Sequence, residues 1–441
     1  MSEQRHRCRR ASFHTLGCRL NQADTGLMSD DLRRHGYEIV PWGQDADVLV
    51  INGCTVTGPA TQKTRQAVRG ARRRCSDAFI VLAGCPVDVA RGEEMMGTGA
   101  DLLLPNPGKG KLRSCLPGSG FVQGMAASSP IFDGKGESFV EEGCGYYPER
   151  TRANLKIQEG CDFSCSYCIV PVARGPARSR RWDDILREAR ELLDNGHREL
   201  VMTGVNIATY RDGGRDLADL VDEMCELPGD LRLRLSSTEP GPVLHRIIDT
   251  MARRDNVCRF LHLPIQYGED GILNLMNRRY SVAEFREFVA HARSVVDSVC
   301  IGSDVIVGFP GEDERAFSRC METMEELAFD YLHVFTYSPR PGTAAADMPG
   351  QVEGATASVR HRRLSALAQE QSIGFAESQV GKDLVVLIET RREGNIVAGW
   401  SDNYLRVEIG DPDNEVSANE FVTARVTQVL SGRRVVGELV T

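Results

Sequence analysis

KIQEGCDFSCSYCIVPVARG, residues 156–175, places three cysteines within eight residues: Cys161, Cys165 and Cys168. They follow a short strand-like run, so they are predicted to lie in a loop at the carboxyl end of a strand. Three thiolates in one loop suffice to hold three irons of a cubic [4Fe–4S] cluster, whereas electron carriers usually supply four. No fourth cysteine follows until Cys225. The spacing therefore predicts a cluster with one iron open to a small molecule.

Two other interpretations of this triad fit less well. A structural zinc site closes with four ligands in paired knuckles, and this stretch has no second pair and no nearby histidine. A disulfide suits a secreted chain, but the first 17 residues lack an apolar signal segment. No run of about 18 apolar residues occurs either, so we expect a cytoplasmic protein with no membrane partner. Fourteen cysteines in such a chain indicate metal or redox chemistry.

Length and composition predict a globular protein of about three domains. The chain has 441 residues, of which 41% are hydrophobic and 26% charged. Its net charge of −9 is not typical of a nucleic-acid-binding protein. Residues 1–75, however, carry 13 Lys and Arg against 7 Asp and Glu. A local basic region of this kind can attract a polyanion even on an acidic protein.

Residues 1–140 are expected to form an N-terminal domain with a doubly wound parallel sheet. Short apolar runs alternate with helical patterns, which is typical of this fold class. The predicted strands are ASFHTLG, YEIVP, DVLVIN, FIVLAG and ADLLLP, with helices near 21–35, 60–74 and 87–96. The stretch 106–150 has little apolar pattern and predicts an irregular connection, in which PGKGK forms a turn.

Residues 141–377 are expected to form a central partial (β/α)6 barrel. Six strand–helix units recur, with strands at NLKIQ, ELVMTG, LRLRLSS, FLHLPIQ, SDVIVGF and YLHVFTY. Helical patterns separate them near 182–194, 215–226, 242–253, 281–297 and 313–327. Ligands of such folds bind at the carboxyl ends of the strands. The cysteine loop follows the first strand and so belongs to that edge.

Residues 378–441 change to period-two patterns and predict a small antiparallel β-barrel. The predicted strands are DLVVLIET, YLRVEIG, FVTARVTQVL and RRVVGELV. The fold class is therefore α/β, with a β-barrel at the C-terminal end.

A second set of cysteines shares one local context in the N-terminal domain. Cys18, Cys54 and Cys85 each follow a strand-like run and a glycine, in TLGC, VINGC and VLAGC. In a doubly wound sheet these positions converge at one edge. They are predicted to hold a second cluster, again with one open iron. The alternative is that three small residues pack at strand ends, since free cysteine is often buried.

Together these motifs resemble the radical S-adenosylmethionine (radical SAM) enzymes and their methylthiotransferase branch. The resemblance to the superfamily lies in KIQEGCDFSCSYC and VPVARG. The resemblance to the methylthiotransferase branch lies in TLGCRLNQADT, INGCTVTGPATQKTRQAVR and VLAGCP. The resemblance covers nearly the whole chain, and the C-terminal segment is similar to the TRAM module that binds RNA. VMTGVNIATY, RLRLSSTEP, DVIVGFPGE and YLHVFTYSPRPGTAAADMP are most similar to the bacterial tRNA threonylcarbamoyladenosine methylthiotransferases.

The resemblance implies two [4Fe–4S] clusters and S-adenosylmethionine as cofactors. Cys161, Cys165 and Cys168 would hold the cluster that chelates S-adenosylmethionine and yields a 5′-deoxyadenosyl radical. Cys18, Cys54 and Cys85 would hold a second, auxiliary cluster, which would carry the sulfur to be inserted. A second S-adenosylmethionine would give the methyl group. The implied reaction is methylthiolation of adenine C2 in N6-threonylcarbamoyladenosine, beside the tRNA anticodon. An electron donor such as flavodoxin or ferredoxin and a sulfur donor are the further partners.

Two alternatives remain open at this point. The first is the same chemistry on isopentenyladenosine in tRNA or on an aspartate of a ribosomal protein. The second, from another class, is a non-catalytic RNA-binding protein whose clusters sense redox state or stiffen the fold.

Further cofactor-binding residues are predicted at the ends of the later strands. Polar side chains there are suited to hydrogen bonds with the amino acid and ribose of the cofactor, and two glycines would let backbone approach its adenine. The candidates are Thr203, Gly204, Asn206, Ser236, Glu239, Gln266, Gly308 and Gly311. The alternative for each is an ordinary turn or cap residue.

Basic residues predict contact with the anticodon stem-loop of a tRNA. The candidates are Arg65 and Arg69 on a predicted helix, and Arg174, Arg178, Arg180 and Arg181 after the cysteine loop. A solvated helix face is the ordinary explanation for such runs. Because the TRAM-like segment has 7 basic and 10 acidic residues, it would read RNA through particular groups. Those groups are Trp400, Tyr404 and Arg406, unless they are barrel packing.

Overall fold

The computed structural model describes residues 9–89, 95, 97–117, 138–148, 151–411 and 415–440. Its first unit contains strands β1 to β5 and helices α1 to α3. The strands are Arg10–Thr15, Glu38–Val40, Val48–Gly53, Phe79–Gly84 and Leu102–Leu104. The helices are Arg19–Arg34, Gly58–Arg74 and Cys85–Val89. Every strand and helix predicted for this unit is present, although part of the third helical stretch, at 90–94 and 96, lies outside the described residues.

The first unit is a five-stranded parallel sheet with the strand order β2-β1-β3-β4-β5. Apolar side chains alternate between its two faces, because successive residues of a strand point in opposite directions. Val50 packs with Met28 of α1 on one face, and Ile51 packs with Val68 of α2 on the other. The sheet is therefore doubly wound, and its chain reverses direction of winding between β1 and β3, where such folds bind ligands.

The connection after β5 differs from the predicted turn. Two short 3₁₀ helices, Asn106–Lys111 and Arg113–Cys115, follow the strand, and the side chain of Lys109 is buried. The prediction that PGKGK is only a turn is therefore wrong, because this segment delivers a lysine to the interior.

The central unit contains six main strands, as predicted, and four two-residue strands. In chain order β6 to β15 are Arg152–Lys156, Gln158–Glu159, Arg178–Ser179, Glu199–Thr203, Arg211–Asp212, Arg215–Asp216, Arg232–Leu235, Phe260–His262, Cys300–Val307 and Tyr331–Thr336. The main strands form two parallel three-stranded sheets, β12-β9-β6 and β13-β14-β15. Backbone hydrogen bonds from Leu233 to Asn256 and Cys258 join the two sheets. The result is the open six-stranded barrel that the sequence predicts.

Helices α4 to α11 cover the outside of this barrel. They are Val170–Arg174, Trp182–Asp194, Leu217–Cys225, Pro242–Arg253, Asp270–Leu275, Val282–Val295, Glu314–Leu327 and Gly354–Glu377. Capping boxes at Asp216 and Ser281 satisfy the first backbone N–H groups of α6 and α9. The five predicted helices match α5, α6, α7, α9 and α10. Among the described residues, no helix has the length and apolar character needed to cross a membrane.

The last unit is a closed five-stranded barrel, with the strand order β16-β17-β18-β20-β19. These strands are Asp383–Glu393, Ile396–Ser401, Arg406–Gly410, Phe421–Ser431 and Arg434–Leu439. The sequence predicts four of them and misses β17. Four of the pairings are antiparallel, whereas β18 and β20 pair in parallel, so the expectation of a wholly antiparallel barrel is wrong in that pair.

A buried carboxylate joins the last two units. Glu199 is fully buried at the start of β9 and pairs with Arg232 at 2.6 Å and Arg234 at 2.7 Å. Arg232 also donates to the carbonyl oxygen of Trp400 at 2.8 Å, and Arg234 to that of Ser401 at 2.9 Å. The two guanidinium groups hold the pKa of Glu199 well below its usual range, although burial alone would raise it.

Replacing this carboxylate should loosen the C-terminal barrel. In Glu199→Gln, two buried guanidinium groups lose their charge partner, which costs about 3–5 kcal/mol of unfolding free energy. Urea unfolding measures the difference. Glu408→Gln is the control, because the Glu408–Arg434 pair is exposed and should change stability by about 0.5 kcal/mol or less. Equal stability of the two variants would contradict the assigned role of Glu199.

Candidate active site

The cysteine loop is held by backbone and side-chain hydrogen bonds to the segment that follows α8. The Ser166 N–H donates to the carbonyl oxygen of Met276 at 3.1 Å, and its hydroxyl donates to that of Leu275 at 2.7 Å. Asn277 in turn donates its amide to the carbonyl oxygen of Ser164 at 2.8 Å. The loop between the first and last cysteine is thereby fixed against the far side of the barrel.

Two of the three sulfurs already accept backbone hydrogen bonds. The N–H of Phe163 lies 3.4 Å from the Sγ of Cys161, and the N–H of Val170 lies 3.4 Å from that of Cys168. Burial raises the pKa of Cys168 to about 12. Such donors stabilise a thiolate against the effect of burial, and in iron–sulfur proteins they tune the cluster.

The third sulfur contacts an arginine that the sequence analysis missed. Arg278 donates to the Sγ of Cys165 at 3.1 Å, to Glu239 at 2.6 Å and to the hydroxyl of Tyr280 at 3.1 Å. Its side chain is almost fully buried. Since it lies 113 residues from Cys165 in the chain, no local motif connects the two.

A cavity of about 440 Å³ adjoins the three sulfurs. It is lined by Cys161, Cys165 and Cys168, together with two prolines and residues 342–344. Three thiols on one loop, hydrogen-bond donors aimed at each sulfur and open space beside them fit a [4Fe–4S] cluster with a small-molecule ligand.

Two predicted cofactor-binding side chains are buried without a protein partner. The amide oxygen and nitrogen of Asn206 and the hydroxyl of Ser236 find no hydrogen-bond partner among the described residues. Buried polar atoms are normally paired, so these two side chains fit a bound polar ligand. Gln158 accepts from the N–H groups of Val205 and Asn206 and so fixes the turn that presents Asn206.

The other predicted cofactor-binding residues have protein contacts of their own. The hydroxyl of Thr203 donates to a backbone carbonyl oxygen of its own strand, and Glu239 pairs with Arg278. The backbone of Gln266 has a positive φ of 67°. A Cβ at Gly204 would lie 2.7 Å from the amide oxygen of Gln158, so only glycine fits there. Their contact with a cofactor stays a prediction.

Gly308 and Gly311 act as turn residues in the structure. Their φ angles are 75° and 87°, in the region that favours glycine. The carboxylate of Glu312 accepts from the N–H groups of Gly308 and Phe309, and the Gly311 N–H donates to the carbonyl of Gly350. The predicted approach of both glycines to an adenine ring stays a prediction.

The second set of cysteines converges at the point where the first sheet changes direction. Cys18 follows β1, Cys54 follows β3, and Cys85 follows β4. A Cβ at Gly17 would lie 2.9 Å from the Sγ of Cys54, so the backbone before Cys18 touches that side chain. Burial raises the pKa of Cys54 to about 11, and the neighbouring Cys85 and Cys18 add to the rise. Three thiols in mutual electrostatic reach fit a second cluster.

Arg174 connects the two sets of cysteines. It lies on α4, six residues after Cys168. Burial would lower the pKa of its guanidinium, but the net shift is upward, and the nearby Cys85 and Cys18 contribute to it. It donates to Asn21 at 2.6 Å and to Glu159 at 2.7 Å.

A buried network of charges surrounds this arginine. The carboxylate of Asp24 lies 2.6 Å from the ammonium of Lys109, 3.1 Å from that of Lys156 and 3.1 Å from Arg174. Lys156 also pairs with Glu159 at 2.5 Å and with a carboxylate at the edge of the network, that of Glu141 at 2.7 Å. Burial alone would raise the pKa of Asp24, but the three cations hold it well below its usual range. The network ties β6, α1 and α4 together.

Two of the predicted RNA-contacting arginines are placed elsewhere by the structure. Arg174 is 2% exposed within the network, and Arg180 is 0% exposed between Asp184 and Glu188. Neither guanidinium can reach a phosphate, because both are enclosed and ion-paired. We therefore correct the prediction for Arg174 and Arg180. Arg178 is half-buried and Arg181 is exposed, so their contact with RNA stays a prediction.

The predicted basic helix lines an accessible cavity beside the second set of cysteines. Arg65 and Arg69 of α2, together with Arg340 and Thr55, border a cavity of about 660 Å³. Arg340 donates to the hydroxyl of Thr55, the residue after Cys54, at 2.9 Å. Arg340 was not predicted from the sequence.

The aromatic residues proposed for the TRAM-like segment contact each other and the central unit. Trp400 and Tyr404 stack with ring centroids 4.9 Å apart, and Tyr404 lies 4.3 Å from Phe260 of the central unit. Arg406 pairs with Glu389. These half-buried side chains lie at the junction between the units, and their contact with RNA stays a prediction.

Loss of the arginine beside Cys165 should shift a reduction potential. In Arg278→Met, one charged donor to sulfur disappears, which should lower the midpoint potential of the cluster at that loop by on the order of 50 mV. Potentiometric titration followed by electron paramagnetic resonance measures it. Arg246→Met is the control, because Arg246 is exposed on α7 and paired with Asp216 and Asp219. An unchanged potential in Arg278→Met would exclude this role.

Family models match the two parts of the chain that contain the cysteine sets. A model of the Radical SAM superfamily matches residues 155–324, and a model described as uncharacterized protein family UPF0004 matches residues 10–104. Among solved structures, the radical S-adenosylmethionine methyltransferase TsrM from Kitasatospora setae, with cobalamin and a [4Fe–4S] cluster bound, has a TM-score of 0.57 at 14% identity. That alignment covers 94% of this chain and 80% of the other, and it shows a shared fold.

Curated relatives are more similar in sequence. Threonylcarbamoyladenosine tRNA methylthiotransferase MtaB of Bacillus subtilis is 34% identical over 90% of this chain and 89% of its own length. The protein of the same name from Thermotoga maritima is 32% identical over 90% of each chain. A tRNA-2-methylthio-N(6)-dimethylallyladenosine synthase of Prosthecochloris aestuarii is 32% identical over 89% and 90%. This chain therefore belongs to the radical SAM tRNA methylthiotransferase family.

Proposed function

We propose that this protein methylthiolates adenine C2 of N6-threonylcarbamoyladenosine beside the anticodon of a tRNA. The observation that carries the proposal is the pair of three-cysteine sites, with Arg174 six residues after Cys168 and in electrostatic reach of Cys18 and Cys85. The identity to proteins named for this nucleoside favours it over the dimethylallyl substrate. In this proposal the protein is a cytoplasmic transferase that uses S-adenosylmethionine and two [4Fe–4S] clusters.

Each cofactor has its own set of residues in this proposal. The cluster that binds S-adenosylmethionine is held by Cys161, Cys165 and Cys168. The auxiliary cluster is held by Cys18, Cys54 and Cys85. When bound, these groups supply a 5′-deoxyadenosyl radical at the first site and sulfur at the second.

The protein's own residues bind and orient the reactants. Asn206 and Ser236 offer unpaired polar atoms to the amino acid or ribose of the cofactor. Arg278 donates to one sulfur from a fixed ion pair with Glu239 and so keeps that ligand in place. Arg174 keeps positive charge buried between the two sites, where it offsets the negative charge of the thiolates.

Other parts of the chain contribute the tRNA surface and the domain arrangement. Residues 1–140, 141–377 and 378–441 act as the three domains in this proposal. Arg65 and Arg69, with Arg178 and Arg181, contact the phosphates of the anticodon stem-loop. An electron donor such as flavodoxin or ferredoxin and a separate sulfur donor complete the reaction.

The proposal predicts a defined product in a reconstituted reaction. Anaerobic enzyme, S-adenosylmethionine, reductant and sulfide should convert a threonylcarbamoyladenosine anticodon stem-loop to its 2-methylthio form, detected by nucleoside mass spectrometry. A stem-loop with dimethylallyladenosine should react at least about tenfold more slowly. Faster reaction of the dimethylallyl substrate would reassign the target, and absence of 5′-deoxyadenosine would exclude radical chemistry altogether.

The triple variant Cys18→Ala, Cys54→Ala, Cys85→Ala separates the two sites in that assay. Iron content should fall from about eight to about four per chain, on the basis of four irons per cluster. This variant should still release 5′-deoxyadenosine but form no methylthio product. Unchanged iron content would remove the auxiliary cluster from the proposal.

The basic face of α2 predicts a salt effect on tRNA binding. Arg69→Gln should weaken binding and reduce the slope of log Kd against log salt by about one, because one phosphate contact is lost. Fluorescence anisotropy over a salt series measures it. Arg246→Gln is the control, since Arg246 is paired with Asp216 and Asp219 on another surface. An Arg69 variant with the wild-type slope would move the RNA path away from α2.

A further inference from the structure

Tyr404 lies at the point where all three units of the chain meet. Its hydroxyl accepts a hydrogen bond at 3.0 Å from Arg19, the residue after Cys18, 385 positions away in the sequence. Its ring lies 4.3 Å from Phe260 on β13 and 6.0 Å from Tyr331 on β15. The C-terminal barrel therefore contacts the first residues of β13 and β15, and Arg19 reaches it from the helix that follows Cys18.

Positive charge is concentrated around this tyrosine. Burial would raise the pKa of Tyr404, yet the net shift is downward, because four arginines surround the phenol. In order of effect they are Arg19, Arg234, Arg433 and Arg152. The arginine charges that lower the pKa of this phenol also attract an anionic ligand.

Two of the four arginines have no carboxylate partner. Arg152 pairs with Glu389 at 3.1 Å, and Arg234 is held by the fully buried Glu199. Within the described residues, neither Arg19 nor Arg433 has an acidic group within 4.0 Å. Arg433 instead lies over the rings of Tyr331, at 3.6 Å, and Tyr404, at 4.6 Å.

One carboxylate near Tyr331 lies between two histidines. Asp304 on β14 lies 3.3 Å from the Nε2 of His262 and 3.4 Å from the Nδ1 of His333. The hydroxyls of Ser237 and Tyr331 contact the other ring nitrogens of these two histidines. Asp304 thus faces two imidazole rings, and its Oδ1 makes no hydrogen bond within the described residues.

We propose that Arg19 and Arg433 bind the carboxylate of the threonyl substituent on the target nucleoside. This inference rests on the proposed function, which supplies an adenine with an anionic N6 group. A dimethylallyl group has no charge to offer, so two desolvated guanidinium groups would remain unpaired in its complex. Tyr404 positions Arg19, and Tyr331 supports Arg433 through its ring face. The pair therefore selects the acidic substituent over the apolar one.

A ligand pair that differs only in charge tests this directly. One anticodon stem-loop carries threonylcarbamoyladenosine, and the other carries its neutral threonine amide. With wild-type holoenzyme, kcat/KM for the acid should exceed that for the amide by about 10- to 100-fold. In Arg433→Met, which leaves all six predicted cluster-binding cysteines unchanged, the acid should lose about the same factor and the amide should change little. Arg19→Met should behave in the same way, with iron content as a check on the cluster.

Arg425→Met is the control, because Arg425 is exposed on the same barrel and paired with Asp383. It should match the wild type on both substrates. Equal losses of Arg433→Met on acid and amide would mean that the arginine meets an RNA phosphate and would overturn the inference. Retention of the full acid preference in both arginine variants would overturn it too.

Binding measurements keep this test separate from the proposed function. If wild-type enzyme bound the acid stem-loop more tightly than the amide, and Arg433→Met lost that preference, the anion site would stand even without methylthio product. If the enzyme formed the product but bound acid and amide equally, only the assignment of Arg19 and Arg433 would fall.

Discussion

The carboxylate of Asp24 is the charge on which the arrangement of the two cysteine sites depends. It is buried, and it compensates Lys109, Lys156 and Arg174, which come from a 3₁₀ helix, a barrel strand and a helix after the cysteine loop. Uncompensated buried charges cost several kcal/mol each, so the three cations can stay in the interior only while their carboxylate partners do. The first sheet and the central barrel are therefore fixed to each other at the same place where their cysteine edges meet.

A second buried carboxylate does the same work at the other end of the barrel. Glu199 holds Arg232 and Arg234, whose remaining donors bond to backbone carbonyls of β17. Because this docking is made through backbone oxygens, it fixes the position of the C-terminal barrel, and with it Tyr404. The junction that presents Arg19 and Arg433 is thus a consequence of how Glu199 is compensated. The ion pairs of Glu199 thereby position the barrel that carries Tyr404 and Arg433.

The sequence predicted the elements whose signal is local and missed those whose signal is not. The six strands of the central unit and the cysteine loop were predicted because apolar periodicity and ligand spacing are visible within a few residues. Strand β17 was missed because its buried positions are Val397, Gly399 and Ser401, so they form no apolar period-two pattern. The segment PGKGK reads as a turn, but Lys109 within it has a partner 85 residues away. Arg174 and Arg180 look like surface cations in a basic run, whereas their carboxylate partners enclose them.

The sequence by itself determined the chemistry of this protein: two sets of three cysteines at strand ends, on a doubly wound sheet and an open barrel. Spacing and periodicity suffice for that, because the first three cysteines lie within eight residues and each of the second three follows a strand whose apolar pattern is local. Only the tertiary structure decided which charges meet. Arg278 reaches Cys165 across 113 residues, and Arg19 reaches Tyr404 across 385. Electrostatic compensation of buried groups depends on distance in space, and no pattern along the chain encodes which partner will be within a few ångströms.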